Sequence, residues 1–201
     1  GAGRADLLAK DSKPCNLVAT FRIHENKLQM TVFNRSNDLI WGCCGANAVH
    51  FAIMQEYIAG MLGIEMGDYY QISTNLHLYQ DHIRMFQKRI GDHQGKSLNY
   101  FLTDISDYGP TQPLITHHES FDADLEDTMT CIDGIQRNGD GYDGTIANLF
   151  LRETVIPMAR AHWKYKNTLK IDALDEINKV SAPDWKQAGK EWLERRIKVT
   201  A

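Results

Sequence analysis

The chain has 201 residues, 43% of them hydrophobic and 24% charged, with a formal net charge of −4. That length can bury one substantial core, or a core plus an extension, and the mild acidity excludes a surface built to coat nucleic acid while allowing a local pocket for a small anion. No apolar run approaches a membrane span and no signal peptide is visible, and the four cysteines lack CxxC spacing, which favours free thiols in a reducing, cytoplasmic setting over a disulfide framework.

Residues 1–13 read as an irregular lead-in that begins Gly1-Ala2-Gly3 without Met, so a processing boundary is expected there, with further residues upstream. After Pro14, the β-branched and aromatic runs 16–23 and 27–33, separated by His24-Glu25-Asn26, predict a hairpin. Residues 34–46 are polar and Gly-containing and predict a loop. Residues 47–62 carry apolar residues at helical spacing and stop at Gly63, which predicts a helix. A strand is expected over 67–76, entered through Gly67-Asp68, and a helix over 78–90. Beyond Gly91 the character changes. Residues 91–119 read as loop, 121–137 as a helix with an acidic start, and 138–141 as a turn. That turn resembles a calcium loop only superficially, because the required Gly and the closing Glu are out of register. Helices are expected over 144–167 and 183–196, with Pro183 tolerated near the start of the second. The organisation predicted is a lead-in (1–13), a catalytic core (14–90) and a mostly helical extension (91–201), in an α/β (α+β) fold.

Four short stretches can carry chemistry, and each has a bland alternative. Cys15 stands directly before a strand, where backbone pairing can hold a nucleophilic thiol rigidly, though a single Cys is usually a small packed residue. Asn34-Arg35-Ser36-Asn37-Asp38 follows the next strand; Arg and Ser together can grip a phosphate, or the stretch is a polar turn with a surface ion pair. Asn47 opens the predicted helix either as its N-cap or as an amide that donates and accepts beside a pyrimidine edge. In Asn75-Leu76-His77-Leu78-Tyr79, strand alternation sends His77 and Tyr79 to one face, where they can hold a sugar hydroxyl or form a half-buried strand edge. Cys43 and Cys44 read as packing residues, with a reactive accessory thiol as the alternative. His117-His118-Glu119 reads as a solvated loop rather than a metal site, because adjacent histidines diverge.

In this order and spacing the pieces resemble the thymidylate synthase family. The likeness runs from Pro14-Cys15 through Arg35-Ser36-Asn37-Asp38, Gly42, Asn47 and Gly67-Asp68-Tyr69 to His77-Leu78-Tyr79 with His82, roughly residues 14–85. The resemblance implies a mixed sheet with packed helices and a homodimer formed through the sheet, with the hairpin over 16–33 contributing. Cys15 would attack ring carbon six of a dUMP-type nucleotide, and Asn47 would read the base. Arg35 and Ser36 would hold the phosphate, with Asn37 and Asp38 in the same substrate-binding stretch. His77 and Tyr79 would hold the deoxyribose. Asp38 would also contact 5,10-methylenetetrahydrofolate, the one-carbon co-substrate. No metal, membrane or direct nucleic-acid partner is implied.

The departures from the family pattern carry consequences of their own. Asn34 stands where the family commonly has Gln, and one extra residue separates Gly42 from Asn47. The family's catalytic Glu, a folate-contacting Trp and an Arg pair that reaches the partner subunit have no equivalent in residues 1–13, so weak nucleotide binding and slow turnover are expected of this stretch alone. A helix-rich extension replaces the family's short apolar tail, which governs water access. Methylation to dTMP is the first expectation. Hydroxymethylation, in which water rather than hydride meets the exocyclic methylene, is the second. A non-catalytic nucleotide-binding or interaction module is the third. Cytosine-specific relatives carry Asp at the base-reading position, so Asn47 favours uracil.

Overall fold

The computed structural model describes residues 14–91 and 111–198; the lead-in 1–13 and residues 92–110 of the predicted loop lie outside them. The described residues fall into two compact units, 14–91 in one and 111–198 in the other.

In the first unit, β1 (Asn16–His24) and β2 (Lys27–Asn34) pair antiparallel. Glu25 and Asn26, both at positive φ (51° and 59°), join them. This is the tight turn whose twist matches that of the strands it connects. Residues 34–46, predicted as a loop, instead hold β3 (Asn37–Asp38) and a π-helical segment, Leu39–Ala46. Helix α1 (Asn47–Leu62) follows and ends on Gly63 in the left-handed conformation (φ 65°), as the stop signal predicts. The strand expected over 67–76 begins earlier, as β4 (Glu65–Ser73), breaks, and resumes as β5 (Leu76–His77). Helix α2 spans Gln80–Gly91.

β2 lies between β1 and β4, antiparallel to the first and parallel to the second, while β3 and β5 form a separate parallel pair. Alternation along β2 buries Leu28, Met30 and Val32 on the side covered by α1. The β2–β4 register slips between Leu28 and Met30, so Gly67 and Asp68 both face Gln29 in a bulge. Buried Gln55 of α1 satisfies the carbonyls that this irregularity frees. Its Nε2 donates to the carbonyls of Leu28 (2.7 Å), Gly67 (3.0 Å) and Asp68 (3.3 Å). The apolar residues of α1 do not all face the sheet: Val49 and Ile53 are exposed, so its spacing is less one-sided than predicted. On the opposite face of the sheet, Val18, Phe33 and Ile72 are aligned across the three strands, with Tyr70 one pair along on β4, and all four are exposed.

In the second unit, helix α3 (Phe121–Asn138) buries Phe121, Cys131 and Ile135 and ends on Gly139 (φ 84°). Asn138 Oδ1 accepts the N–H of Asp140, fixing the turn expected there. The helix predicted over 144–167 starts later. Buried Asp124 accepts the N–H groups of Ala147 and Asn148 (2.9 and 3.0 Å), and Asn148 Oδ1 accepts the N–H of Leu151 (3.0 Å) as a cap. Residues 144–148 therefore form a capped approach. A π-helical stretch, Leu151–Val155, leads into α4 (Ile156–Lys166). Pro157 cannot donate to the carbonyl of Glu153, and the N–H of Ser181 reaches that carbonyl instead (2.9 Å). Helix α5 (Lys170–Asn178), absent from the sequence expectation, packs Ala173 and Ile177 with Ala161 and Leu193. Helix α6 (Pro183–Lys198) closes the described chain. No helix among the described residues is long and apolar enough to cross a membrane.

Candidate active site

The hairpin turn at Glu25-Asn26 puts Asn16 opposite Asn34, so the residues just outside that pair, Cys15 and Arg35, become neighbours. The Arg35 N–H donates to the Cys15 carbonyl (2.9 Å), and Arg35 Nε donates to the Pro14 carbonyl (3.0 Å). These contacts aim the guanidinium, and its Nη2 lies 3.9 Å from Cys15 Sγ. Cys15 is exposed. A cation at that distance is placed to stabilise negative charge on sulfur during attack and departure.

Arg35 is followed by Ser36, whose Oγ lies 3.4 Å from His77 Nδ1. The β3–β5 pairing makes this contact by setting Asp38 beside His77. β5 ends at His77, so strand alternation does not orient Tyr79 as predicted. The two rings instead meet edge to face, with centroids 5.0 Å apart, and Tyr79 is 57% exposed. Tyr79 meets His82 in the same way at 5.8 Å.

Asn37 is buried, and its amide is committed inside the protein. Nδ2 donates to Gln71 Oε1 (2.9 Å) and Ser73 Oγ (3.2 Å), and Oδ1 accepts from Asn47 Nδ2 (3.0 Å). Within the protein Asn37 thus acts as a bracket for Asn47. Gly42 is required at this spot, because a Cβ there would collide with Asn37 Oδ1 and crowd Asn47 Nδ2 at 3.2 Å. Asn47 is not the N-cap that the bland reading offered. Its backbone is already helical (φ −66°, ψ −41°), and its N–H donates to the Gly42 carbonyl, five residues back. This five-residue hydrogen bond spans a kink at Gly45 (φ −120°, ψ −121°), so the extra residue between Gly42 and Asn47 is taken up in a kinked π-type turn.

The true cap is Asp38, which sequence reasoning had considered only for ligand contacts. Asp38 Oδ1 accepts the N–H groups of Ile40 (3.0 Å) and Trp41 (2.6 Å). The Trp41 indole N–H donates to His82 Nε2 (2.7 Å), which makes that nitrogen an acceptor and leaves the ring proton of neutral His82 on Nδ1. Nδ1 lies 3.8 Å from Asp38 Oδ2, and both atoms are buried without a hydrogen-bond partner. Trp41 was not anticipated as a functional residue; its ring is 65% exposed beside Asp38. Tyr69 sits under the segment, its hydroxyl 3.5 Å from the Asn47 carbonyl. Burial, reinforced by Cys43 and partly offset by Gln71, pushes the Tyr69 hydroxyl up to about 12, so it stays a proton donor at neutral pH. Cys43 is half-buried, but Cys44 is exposed rather than packed. His117, His118 and Glu119 are exposed on a loop, and no cluster of three His, Cys, Asp or Glu among the described residues could hold a metal ion.

Known proteins resemble the chain over the same residues. The family model described as thymidylate synthase matches residues 4–112, just over half of the chain. A deoxyuridylate hydroxymethyltransferase of Pseudomonas phage M6 is 38% identical over 191 residues, 91% of this chain and 52% of that protein. A protein of the same description from Bacillus phage SP01 is 47% identical over 78 residues, 38% of this chain and 20% of its own length. A putative thymidylate synthase of Methanothermobacter thermautotrophicus is 33% identical over 72 residues, 36% of this chain and 32% of its own. The chain therefore spans about half the length of the phage M6 relative and less of the other two. The chain belongs to the thymidylate synthase family.

Proposed function

We propose that this chain is the nucleophile-bearing part of an enzyme that transfers a one-carbon unit to carbon five of dUMP, and that the unit ends as a hydroxymethyl group. The observation that carries the reading is the 3.9 Å approach of the Arg35 guanidinium to Cys15 Sγ, next to the Ser36–His77 contact. Cys15 adds to carbon six of the pyrimidine, which makes carbon five nucleophilic; this splits one difficult step into two easier ones. Arg35 and Ser36 hold the phosphate, and His77 and Tyr79 hold the deoxyribose. Asn47, steadied by Asn37, reads the uracil edge and supplies a donor where ring-oxygen charge develops.

5,10-Methylenetetrahydrofolate, as co-substrate, supplies the one-carbon unit. The exposed Trp41 suits it, a flat apolar face of the kind a pterin stacks on, and Asp38 fixes the backbone that carries Trp41. The hydroxymethyl ending is supported by the phage M6 and SP01 relatives, both described as hydroxymethyltransferases, the first of them matching through both units. The putative thymidylate synthase among the relatives supports the second reading, methylation to dTMP. A homodimer and a cytoplasmic setting belong to the same proposal. The exposed residues Val18, Phe33, Tyr70 and Ile72 share an apolar sheet face suited to a second copy. We take residues 14–90 as the catalytic part and the helical remainder as an extension.

The test uses the full-length protein with dUMP and methylenetetrahydrofolate, followed by mass analysis of the nucleotide product. A hydroxymethyl product is one oxygen heavier than a methyl product, and the methyl mass would leave the second reading. With 5-fluoro-dUMP and folate the wild type should form a covalent adduct. Cys15→Ser should abolish it and slow turnover by on the order of a thousandfold or more. No adduct in the wild type at saturating nucleotide would overturn the enzymatic reading and leave a nucleotide-binding module.

A further inference from the structure

Cys43 and Cys44 are two thiols that the chemistry above does not use. Both are free; Cys44 is exposed and Cys43 half-buried. They lie in the π-helical segment between its cap, Asp38, and Asn47. The Cys43 carbonyl accepts from Gln71 Nε2 (2.8 Å), Gln71 Oε1 accepts from Asn37 Nδ2 (2.9 Å), and Asn37 Oδ1 accepts from Asn47 Nδ2 (3.0 Å). The Asn47 amide is thus tied to the Cys43–Cys44 peptide through three consecutive hydrogen bonds.

We propose that Cys43 and Cys44 form a modification site, a vicinal dithiol that exchanges with a low-molecular-weight disulfide, closes a Cys43–Cys44 bridge and thereby releases Asn47 from its bracket. The functional consequence rests on the reading of Asn47 as the base reader; the exchange chemistry does not. The thiolate of Cys44 attacks one sulfur of the external disulfide, forming a mixed disulfide and expelling one thiolate. The Cys43 sulfur then displaces the second thiolate from Cys44, and its proton passes to the leaving group. Two protein thiols are oxidised, and one external disulfide is reduced to two thiols. Exposure makes Cys44 the entry point. Burial, reinforced by Cys44 itself, pushes the Cys43 thiol up and disfavours first attack there.

The backbone makes this bridge a switch. Adjacent Cα atoms are about 3.8 Å apart, whereas disulfides usually span roughly 4.4–6.8 Å between Cα atoms. The ring cannot close on a helical backbone, so the peptide between the two residues must rotate. That peptide carries the carbonyl that Gln71 holds. A strained bridge of this kind is also readily reduced, so the change is reversible.

The experiment treats the full chain carrying Cys15→Ser, so that the nucleophile does not react, with oxidised glutathione. The peptide containing Cys43 and Cys44 should lose two hydrogens in mass. Amide exchange over residues 39–47 should rise, and dUMP affinity should fall about tenfold, the loss expected for one well-placed hydrogen bond. Dithiothreitol should restore all three, and adding Cys44→Ser should block all three. A mixed disulfide that persists on Cys44 without ring closure, or a bridge that leaves exchange and affinity unchanged, overturns the proposal. If the reduced protein binds no dUMP, the proposed function fails, while mass and exchange still decide the bridge.

Discussion

Both units bury polar side chains, but they use them differently. In the helical unit, Asp124, Asn148 and Thr154 reach backbone: Asp124 takes the N–H groups of Ala147 and Asn148, Asn148 takes that of Leu151, and Thr154 takes that of Ala182. These contacts sit at helix starts. In the sheet unit, Asn37, Asn47, Gln71 and Ser73 are joined side chain to side chain, and Asn37 directly follows Ser36, whose Oγ meets His77. The lesson is that burial of a polar residue does not itself mark a site. A buried side-chain network that fixes an amide close to groups able to react is the better pointer, because there buried order sets the position of a group a ligand could meet.

Three substitutions separate the two uses. The largest effect is expected from Asn47→Asp. It turns the donor that faces Asn37 Oδ1 into an acceptor and exchanges a uracil-matched amide for a cytosine-matched acid. The ratio of kcat/KM for dUMP over dCMP should fall by about a hundredfold, measured by competition between the two nucleotides; an unchanged ratio would remove Asn47 from the base-reading role. Next is Asp124→Ala, which strands two backbone N–H groups inside the helical unit. It should cost about 2 kcal/mol in urea unfolding and leave turnover per folded molecule unaltered. A large fall in kcat there would show that the buried acid of the second unit serves the site after all.

The smallest effect belongs to Glu176. Burial alone would raise its carboxyl, but hydrogen bonds from Lys164 and Lys179 outweigh burial and hold it below its ordinary value of 4.5. A depressed folded-state value contributes stability that is present above the unfolded value and lost as pH falls through the folded one. The helical unit should therefore weaken as pH drops below about 4.5. Glu176→Gln should lower stability at neutral pH by about 1 kcal/mol and flatten that acid limb in thermal melts. An acid limb as steep as the wild type's would show that the lysines do not hold the charge.

The hairpin was legible from local signals, the β-branched and aromatic runs 16–23 and 27–33, but its two-residue turn was not, since His24 joins the strand. The register that this turn sets decides what flanks the hairpin, Cys15 on one side and Arg35 on the other. Leu39–Ala46 was not legible as helix, because Cys43, Cys44 and Gly45 have no strong helical preference. Its hydrogen bonds follow from the cap at Asp38 and the bracket at Asn37. The late start of the helix before α4 was hidden for a similar reason, since Asp124 lies 23 residues from Ala147 in sequence. Helix α5 escaped notice because its buried face is little more than Ala173 and Ile177, while Ile171 points to solvent. The roles of Asp38, Trp41 and His82 towards one another depended on β3–β5 pairing, which no local pattern announces.

Gln55 has a mechanical consequence. It lies about two turns into the helix that Asn47 opens, and its single amide is fastened to carbonyls on two different strands. A rod clamped near its middle cannot swing freely at its tip. The start of α1 is therefore set before any ligand arrives, and specificity at Asn47 would come from stiffness already built into the scaffold, leaving adjustment to the nucleotide.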